Sequence, residues 1–187
     1  GNNGVQLPIV KVENGKLIGT RLHYTNNEFG TKSKKAMFLP TPQPDMPKQV
    51  ATQQSKYKYW VNTGRFNEIW QSNYHTGRLE FTAKRWPMAP LEIHPKDAKD
   101  LGVTSGDLVQ LSNDYGSTRA IAIVTDTVRV GEVFGAFGFQ NSIINDLCTD
   151  YVDPDTKIPF YKGTAANIVK IGRSESLIKD MTFQDRV

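Results

Sequence analysis

The chain has 187 residues, 38% of them hydrophobic and 22% charged, enough for one sizeable domain with its own core. Its one cysteine, Cys148, excludes an internal disulfide, a zinc knuckle and any cysteine-ligated iron–sulfur site built by this chain alone. The net charge of +4 divides into +7 over residues 1–100 and −3 over residues 101–187, so the basic first half points to an anionic partner such as nucleic acid, a phosphate ester or an oxyanion.

Gly1-Asn2-Asn3-Gly4 offers neither an initiator methionine nor a basic, apolar signal pattern, and reads as a processed end or the edge of a longer chain. Residues 8–24 read as a hairpin: Ile9, Val10 and Val12 lead to Asn14-Gly15, a type I′ turn pair, and Leu17, Ile18 and Leu22 return. Lys32, Lys34 and Lys35 fall in a turn-rich stretch and read as a solvated loop. Pro40, Pro42, Pro44 and Pro47 fix φ repeatedly, so residues 25–56 are expected to be an extended wrapping arm. The expected organisation is therefore an N-terminal hairpin and arm over 1–56 and a β domain over 57–187.

Short strands are expected at Tyr57–Asn62, Leu91–Ile93, Leu108–Leu111, Ala120–Val124, Val133–Phe139 and Ile168–Ile171. Pro95–Leu101 is a short helix with proline in its first turn and Gly102 at its stop; a second helix is expected over Ser174–Lys179. Asp114-Tyr115-Gly116-Ser117 turns one strand back into the next. Many short strands, few helices and Gly-rich turns predict a mainly β barrel or sandwich. No 18-residue apolar run is present, so no membrane-spanning helix is expected.

The usual catalytic searches return little. His23, His75 and His94 are not in metal-spaced pairs, and no G-x-S-x-G elbow, P-loop or G-x-G-x-x-G occurs. No residue is assigned a catalytic or metal-ligating role. His94 precedes Pro95 at a helix start and reads as structural, while Cys148 between Leu147 and Thr149 reads as simply buried.

Residues 60–78 are different. Gly64 allows close backbone approach, Asn62, Thr63, Asn67, Gln71, Asn73 and His75 supply hydrogen-bonding groups, and Arg65 and Arg78 carry planar forks suited to phosphate oxygens. Trp70 and Tyr74 would share one face if the stretch were helical. The mix suits a heteroaromatic ring joined to phosphates; it equally describes a polar turn and an amphipathic helix with core aromatics. Two further classes stay open on the residues alone, a stand-alone barrel binding a nucleotide or other phosphate ligand and a nucleic-acid-binding module.

Asn62-Thr63-Gly64-Arg65 leading to His75-Thr76-Gly77-Arg78, followed by Pro90–Ala98, Gly102 and Ser105-Gly106-Asp107, resembles the molybdopterin dinucleotide-binding domain of the dimethyl sulfoxide reductase family of molybdenum enzymes. Within that family the likeness is greatest to the arsenite oxidase large subunits, through Trp60–Asn62, Arg65–Gln71, Arg85–Ala89, Asn113–Thr118 and Ile158–Thr164. The resemblance implies a double-psi β-barrel and a C-terminal domain cut from a longer subunit. It implies two molybdopterin guanine dinucleotides holding molybdenum (bis-MGD), an iron–sulfur cluster in a domain absent from this chain, and oxidation of arsenite. The implied partners are the remaining domains of the large subunit and a Rieske-type small subunit, with no nucleic acid; the implied location is the periplasm or the outer face of the cytoplasmic membrane.

Carried over by motif, Asn62, Thr63, Gly64 and Arg65 would meet a pterin or its phosphates, with Trp70, Gln71 and His75 in the same stretch. Phe137-Gly138-Phe139-Gln140-Asn141 would approach the other pterin, chiefly through Gly138, Gln140 and Asn141, and Tyr161, Lys162 and Gly163 complete the set. Arg78 stands where many relatives have a small or hydroxyl residue. The usual Ala-Asn-Xaa-Leu-Thr appears only as Asn145-Asp146-Leu147-Cys148-Thr149, where Asn145 and Thr149 could equally cap a turn.

Overall fold

The computed structural model describes residues 4–24, 26–40, 42 and 45–173, so the helix expected over Ser174–Lys179 lies outside the described residues. The chain divides into two compact units, Gly1–Pro44 and Asp45–Val187. The first holds an antiparallel hairpin of β1 (Ile9–Glu13) and β2 (Lys16–Gly19). Asn14 and Gly15 both take positive φ, 48° and 73°, as a type I′ turn requires.

The second unit begins with a helix where an unpacked arm was expected. α1 (Lys48–Lys56) starts directly after Pro47 and buries Val50 and Gln53 completely or nearly so. Pro47 sits just ahead of the first turn, where a missing N–H costs nothing, and Lys, Gln and Ala are good helix formers. The proline run therefore ends in a helix start, and packed structure begins earlier than Tyr57.

Six strands close into a barrel in the order β3-β7-β4-β6-β5-β8. They are β3 (Tyr59–Gly64), β4 (Pro90–Ile93), β5 (Asp107–Ser112), β6 (Ser117–Val124), β7 (Glu132–Ala136) and β8 (Thr164–Arg173). The β3–β7 and β4–β6 pairs are parallel and the others antiparallel, the topology of a double-psi β-barrel. β3 and β5 alternate strictly between buried and half-buried residues, the period-two pattern of strands with one face on a core. Val61, Leu91, Ile93, Val109, Leu111, Ala120, Ala122 and Val133 fill that core with no exposed surface.

Two short helices flank the barrel, α2 (Glu80–Arg85) and α3 (Pro95–Leu101). His94 caps α3: its Nδ1 accepts from the Lys96 N–H at 3.1 Å, and Gly102 closes the helix at φ 63°. The strand expected to run to Phe139 stops at Ala136, because Gly138 turns the chain at φ 96°.

Candidate functional site

Parallel pairing places the site. β3 and β7 run side by side with Gly64 opposite Ala136, so the segments that follow them leave the barrel at the same end. The Phe137 N–H donates to the Gly64 carbonyl at 3.1 Å and extends this alignment past the strands. β8 runs antiparallel to β3 with Thr164 opposite Val61, which delivers residues 161–163 to the same end. There Lys162 Nζ donates to the Thr63 carbonyl. The three segments singled out in the sequence, 62–78, 137–141 and 161–163, thus converge although up to a hundred residues separate them.

The 66–78 segment is a chain of turns, not the helix its aromatic spacing allowed. Gln71 and Asn73 take φ of 51° and 64°, which break any helical run. Thr76 ties the loop together: its Oγ1 accepts from the Trp70 N–H at 3.0 Å and donates to Asn73 Oδ1 at 2.9 Å. A 3₁₀ turn over Thr76–Arg78 completes it. Trp70 and Tyr74 are each 63% exposed, so these aromatics are not core. The Arg78 guanidinium lies 4.5 Å over the Tyr74 ring, a cation–π contact that pre-orients its fork.

Between this loop and residues 138–141 lies a cavity of about 390 Å³. Ser72, Asn73 and Tyr74 with Arg78 form one wall and Gly138, Gln140 and Asn141 the other, over a floor that includes Trp86 and Pro87. The two walls touch through backbone: a Cβ on Gly138 would stand 2.6 Å from the Ser72 carbonyl carbon and oxygen. Only glycine permits that approach and that φ. Trp86 Nε1 in this floor, and Ser142 Oγ next to Asn141 in the chain, are buried without a hydrogen-bond partner among the described residues.

Of the sequence-derived residues, Gly138, Gln140 and Asn141 line this cavity, and Gln71 and His75 sit exposed on its loop beside Trp70. Arg65 is exposed at the end of β3, whereas Thr63 is buried and contributes its carbonyl. Asn62 opens instead into a second cavity of about 440 Å³ with Glu92, Arg129 and Glu132. Gly64 packs under the Phe134 ring, and Gly163 against Phe160 and Val50, so both are positions where a side chain would collide with the protein itself. Tyr161 is partly exposed beside them. Asn73, Tyr74 and Arg78, named in the 60–78 stretch but not among the residues carried over by motif, line the cavity too, whereas Ser72 and Trp86 were given no site role in the sequence.

The turn-capping alternative for Asn145 and Thr149 is only partly realised. Asn145 Oδ1 receives a weak contact from Cys148 Sγ at 3.9 Å, while Thr149 Oγ1 is buried and unpaired among the described residues. Burial pushes the Cys148 thiol up, and its sulfur accepts from Thr164 Oγ1 at 3.4 Å. It is a packed thiol, not a thiolate nucleophile. Among the described residues, no three His, Cys, Asp or Glu side chains gather as a metal site, and no helix is long and apolar enough to cross a membrane.

Residues 59–165 match the sequence profile of the Molydopterin dinucleotide binding domain, which covers the whole barrel up to the start of β8. The chain belongs to the molybdopterin dinucleotide-binding domain family. Over its full length it is 47% identical to arsenite oxidase subunit AioA of Herminiimonas arsenicoxydans, covering 22% of that protein. It is 31% identical to iodate reductase subunit IdrA of Denitromonas iodatirespirans, with 93% of the chain and 25% of the relative aligned. The chain therefore spans about a quarter of the length of these relatives. Among solved structures, acetylene hydratase from Pelobacter acetylenicus shares the fold, with a TM-score of 0.57 over 71% of this chain and 21% of that one at 18% identity. The cavity of this molybdopterin-binding domain suits a dinucleotide in its donor set: neutral amides and hydroxyls for a base or pterin edge, one stacked arginine for phosphate, and a glycine where backbone must come close.

Proposed function

We propose that this domain holds molybdopterin guanine dinucleotide in an arsenite oxidase-like large subunit, which oxidises arsenite to arsenate. The observation that carries the reading is the meeting of the 72–78 and 138–141 segments on one cavity, in a chain 47% identical throughout to an arsenite oxidase subunit. When bound, the cofactor's molybdenum supplies oxygen-atom transfer and accepts two electrons. The residues of this chain bind and orient. Asn73, Gln140 and Asn141 offer amide donors and acceptors to the heteroaromatic edge, and Arg78 faces phosphate oxygens with its fork fixed on Tyr74. Arg65, Trp70, Gln71, His75, Tyr161 and Lys162 form the outer rim at the same barrel end, and the Thr63 carbonyl holds Lys162 in place. Gly64 and Gly163 support this end from behind, while Asn62 opens into the second cavity.

In the full subunit two such dinucleotides are expected, with an iron–sulfur cluster outside this chain and a Rieske-type small subunit as electron acceptor, located in the periplasm or on the outer membrane face. The similarity to iodate reductase subunits supports a second reading, in which the same domain serves a different oxyanion. Purified full-length enzyme assayed for molybdenum content, arsenite oxidation and iodate reduction separates the two. Molybdenum with arsenite turnover is the expected result, and molybdenum with iodate turnover alone would transfer the assignment. A native polypeptide of only this length, free of molybdenum, would overturn both.

A further inference from the structure

The first compact unit covers little of its own apolar surface. In the β1–β2 hairpin, Val12 pairs across the strands with Leu17, and both are more than half exposed. A lone two-stranded hairpin is marginal in water, so this one depends on cover from elsewhere. Further on, a closed turn is built with care. The Phe29 N–H donates to the Lys34 carbonyl at 3.0 Å, the Lys34 N–H to the Thr31 carbonyl at 3.1 Å, and Thr31 Oγ1 to the Lys35 carbonyl at 2.7 Å. Tyr24 stacks on Phe29 at 4.5 Å beside it.

This turn launches Ala36-Met37-Phe38-Leu39, a segment whose backbone makes no hydrogen bond among the described residues. Met37, Phe38 and Leu39 are 63%, 94% and 73% exposed. Successive side chains of an extended segment point to opposite faces, so this one is apolar on both faces, the composition of a strand covered on both sides. Pro40 ends it by removing the next donor. Upstream, Lys32, Lys34 and Lys35 are exposed and in no ion pair among the described residues. Residues 1–44 hold six Lys or Arg against two acidic residues.

We propose that residues 36–39 dock as an added strand, anchored by Phe38, in an apolar groove rimmed by carboxylates on the part of the large-subunit polypeptide outside this chain. The arsenite oxidase relative is more than four times as long as its aligned share, so that polypeptide has ample surface to offer. A second copy fits less well, because it would bring two cationic strips together. The unpaired amides supply main-chain pairing, the apolar side chains fill pockets on alternate faces, and the lysines set orientation. The inference rests on the reading of this chain as one part of a longer subunit.

Amide hydrogen exchange on the full-length polypeptide tests it. The amides of 37–39 should exchange on the order of 100-fold more slowly than unstructured rates. Phe38→Asp, and separately the milder pair Lys34→Glu with Lys35→Glu, should reduce that protection while β5 and β6 keep theirs. Unprotected rates at 37–39 in the full-length protein would overturn the proposal. So would protection that appears only at high concentration with a dimer's mass, or only with phosphatidylglycerol vesicles. Molybdenum is measured on the same sample: protection without molybdenum sinks the cofactor reading alone, and molybdenum without protection sinks the docking alone.

Discussion

Replacing Gly138 with alanine tests whether the cavity depends on close contact between its walls. Gly138 sits at φ 96°, where a side chain costs roughly 1–3 kcal/mol in backbone strain. The new Cβ would also stand 2.6 Å from the Ser72 carbonyl carbon and oxygen and 3.0 Å from its Cα. These are backbone atoms that cannot rotate aside. Restoring ordinary contact requires the loops to part by about 1 Å, since carbon contacts are most favourable near 3.5–4.0 Å. Overpacking of this kind adds roughly 1–3 kcal/mol. Gly102→Ala is the matched control: it also has positive φ, 63°, but nothing within 4 Å of the added atom. It should carry only the left-handed penalty of roughly 1–2 kcal/mol. Urea unfolding of the two variants should therefore place Gly138→Ala about 1 M below Gly102→Ala, for a slope of roughly 1–3 kcal/mol per molar. In full-length enzyme, Gly138→Ala should also lower molybdenum retention and Gly102→Ala should not. Equal midpoints together with equal molybdenum content would refute the reasoning.

Substitutions at two further positions probe what holds the barrel together. Asp107 is fully buried, accepts from the Thr104 N–H and Oγ1 at 2.7 and 3.0 Å, and pairs with Lys170 at 2.7 Å. Burial alone would raise its carboxyl, but Lys170 and Thr104 together hold it below the usual range. A depressed carboxyl contributes stability above its unfolded pKa and loses it as pH falls through the folded one. Asp107→Asn should thus cost about 2 kcal/mol at pH 7 by urea titration, and the gap to the parent should close below about pH 4; a gap independent of pH would refute this. Asn113 uses its whole amide, donating to the Leu147 and Ala165 carbonyls at 2.7 and 2.9 Å and accepting from the Tyr115 and Gly116 N–H groups. Asn113→Ala should cost about 3 kcal/mol, and Asn113→Asp, which sets a carboxylate against two carbonyls, should not rescue it; rescue by aspartate would show that only the turn contacts matter.

Local chemistry made some of this readable in the sequence. Asn14-Gly15 could be assigned because few residues accept two consecutive positive φ values, and α3 because His94, Pro95 and Gly102 each suit one position in a helix. α1 was obscured by the prolines before it. Its place is fixed by Val50, which packs by Gly163, more than a hundred residues away. The spacing of Trp70 and Tyr74 suggested a helix face, but Gln71 and Asn73 adopt left-handed conformations under the hold of Thr76, and no periodicity reports that. The candidate site was half legible. The 60–78 stretch was visible as a cluster of hydrogen-bonding residues and the 137–141 and 161–163 segments came only with the resemblance; their convergence depends on the parallel pairing of β3 with β7, which leaves no local mark. Arg78 looked like a departure from the family pattern; only the fold reveals the Tyr74 ring beneath it.

Under the proposed function, the balance of charge at the cavity accounts for a barrel that grips a dinucleotide without a basic groove. Among the described residues, Arg78 is the one charged residue in the cavity lining, and neutral Ser72, Asn73, Gln140 and Asn141 supply polar groups beside it. Neutral amides are cheaper to desolvate than ammonium groups and match the alternating donors and acceptors of a heteroaromatic edge. A single guanidinium held on a ring loses little freedom when it meets phosphate. A nucleic-acid surface would need the opposite arrangement, many cations in a row and tolerance of any base. The cations of the first half are placed otherwise: Lys32, Lys34 and Lys35 lie in the other compact unit, while Arg65 and Arg78 flank the loop after β3. Arg65 and Arg78 at the barrel end and the lysine strip before Phe38 are thus separate features of the basic first half, and under the two proposed roles salt should weaken them independently.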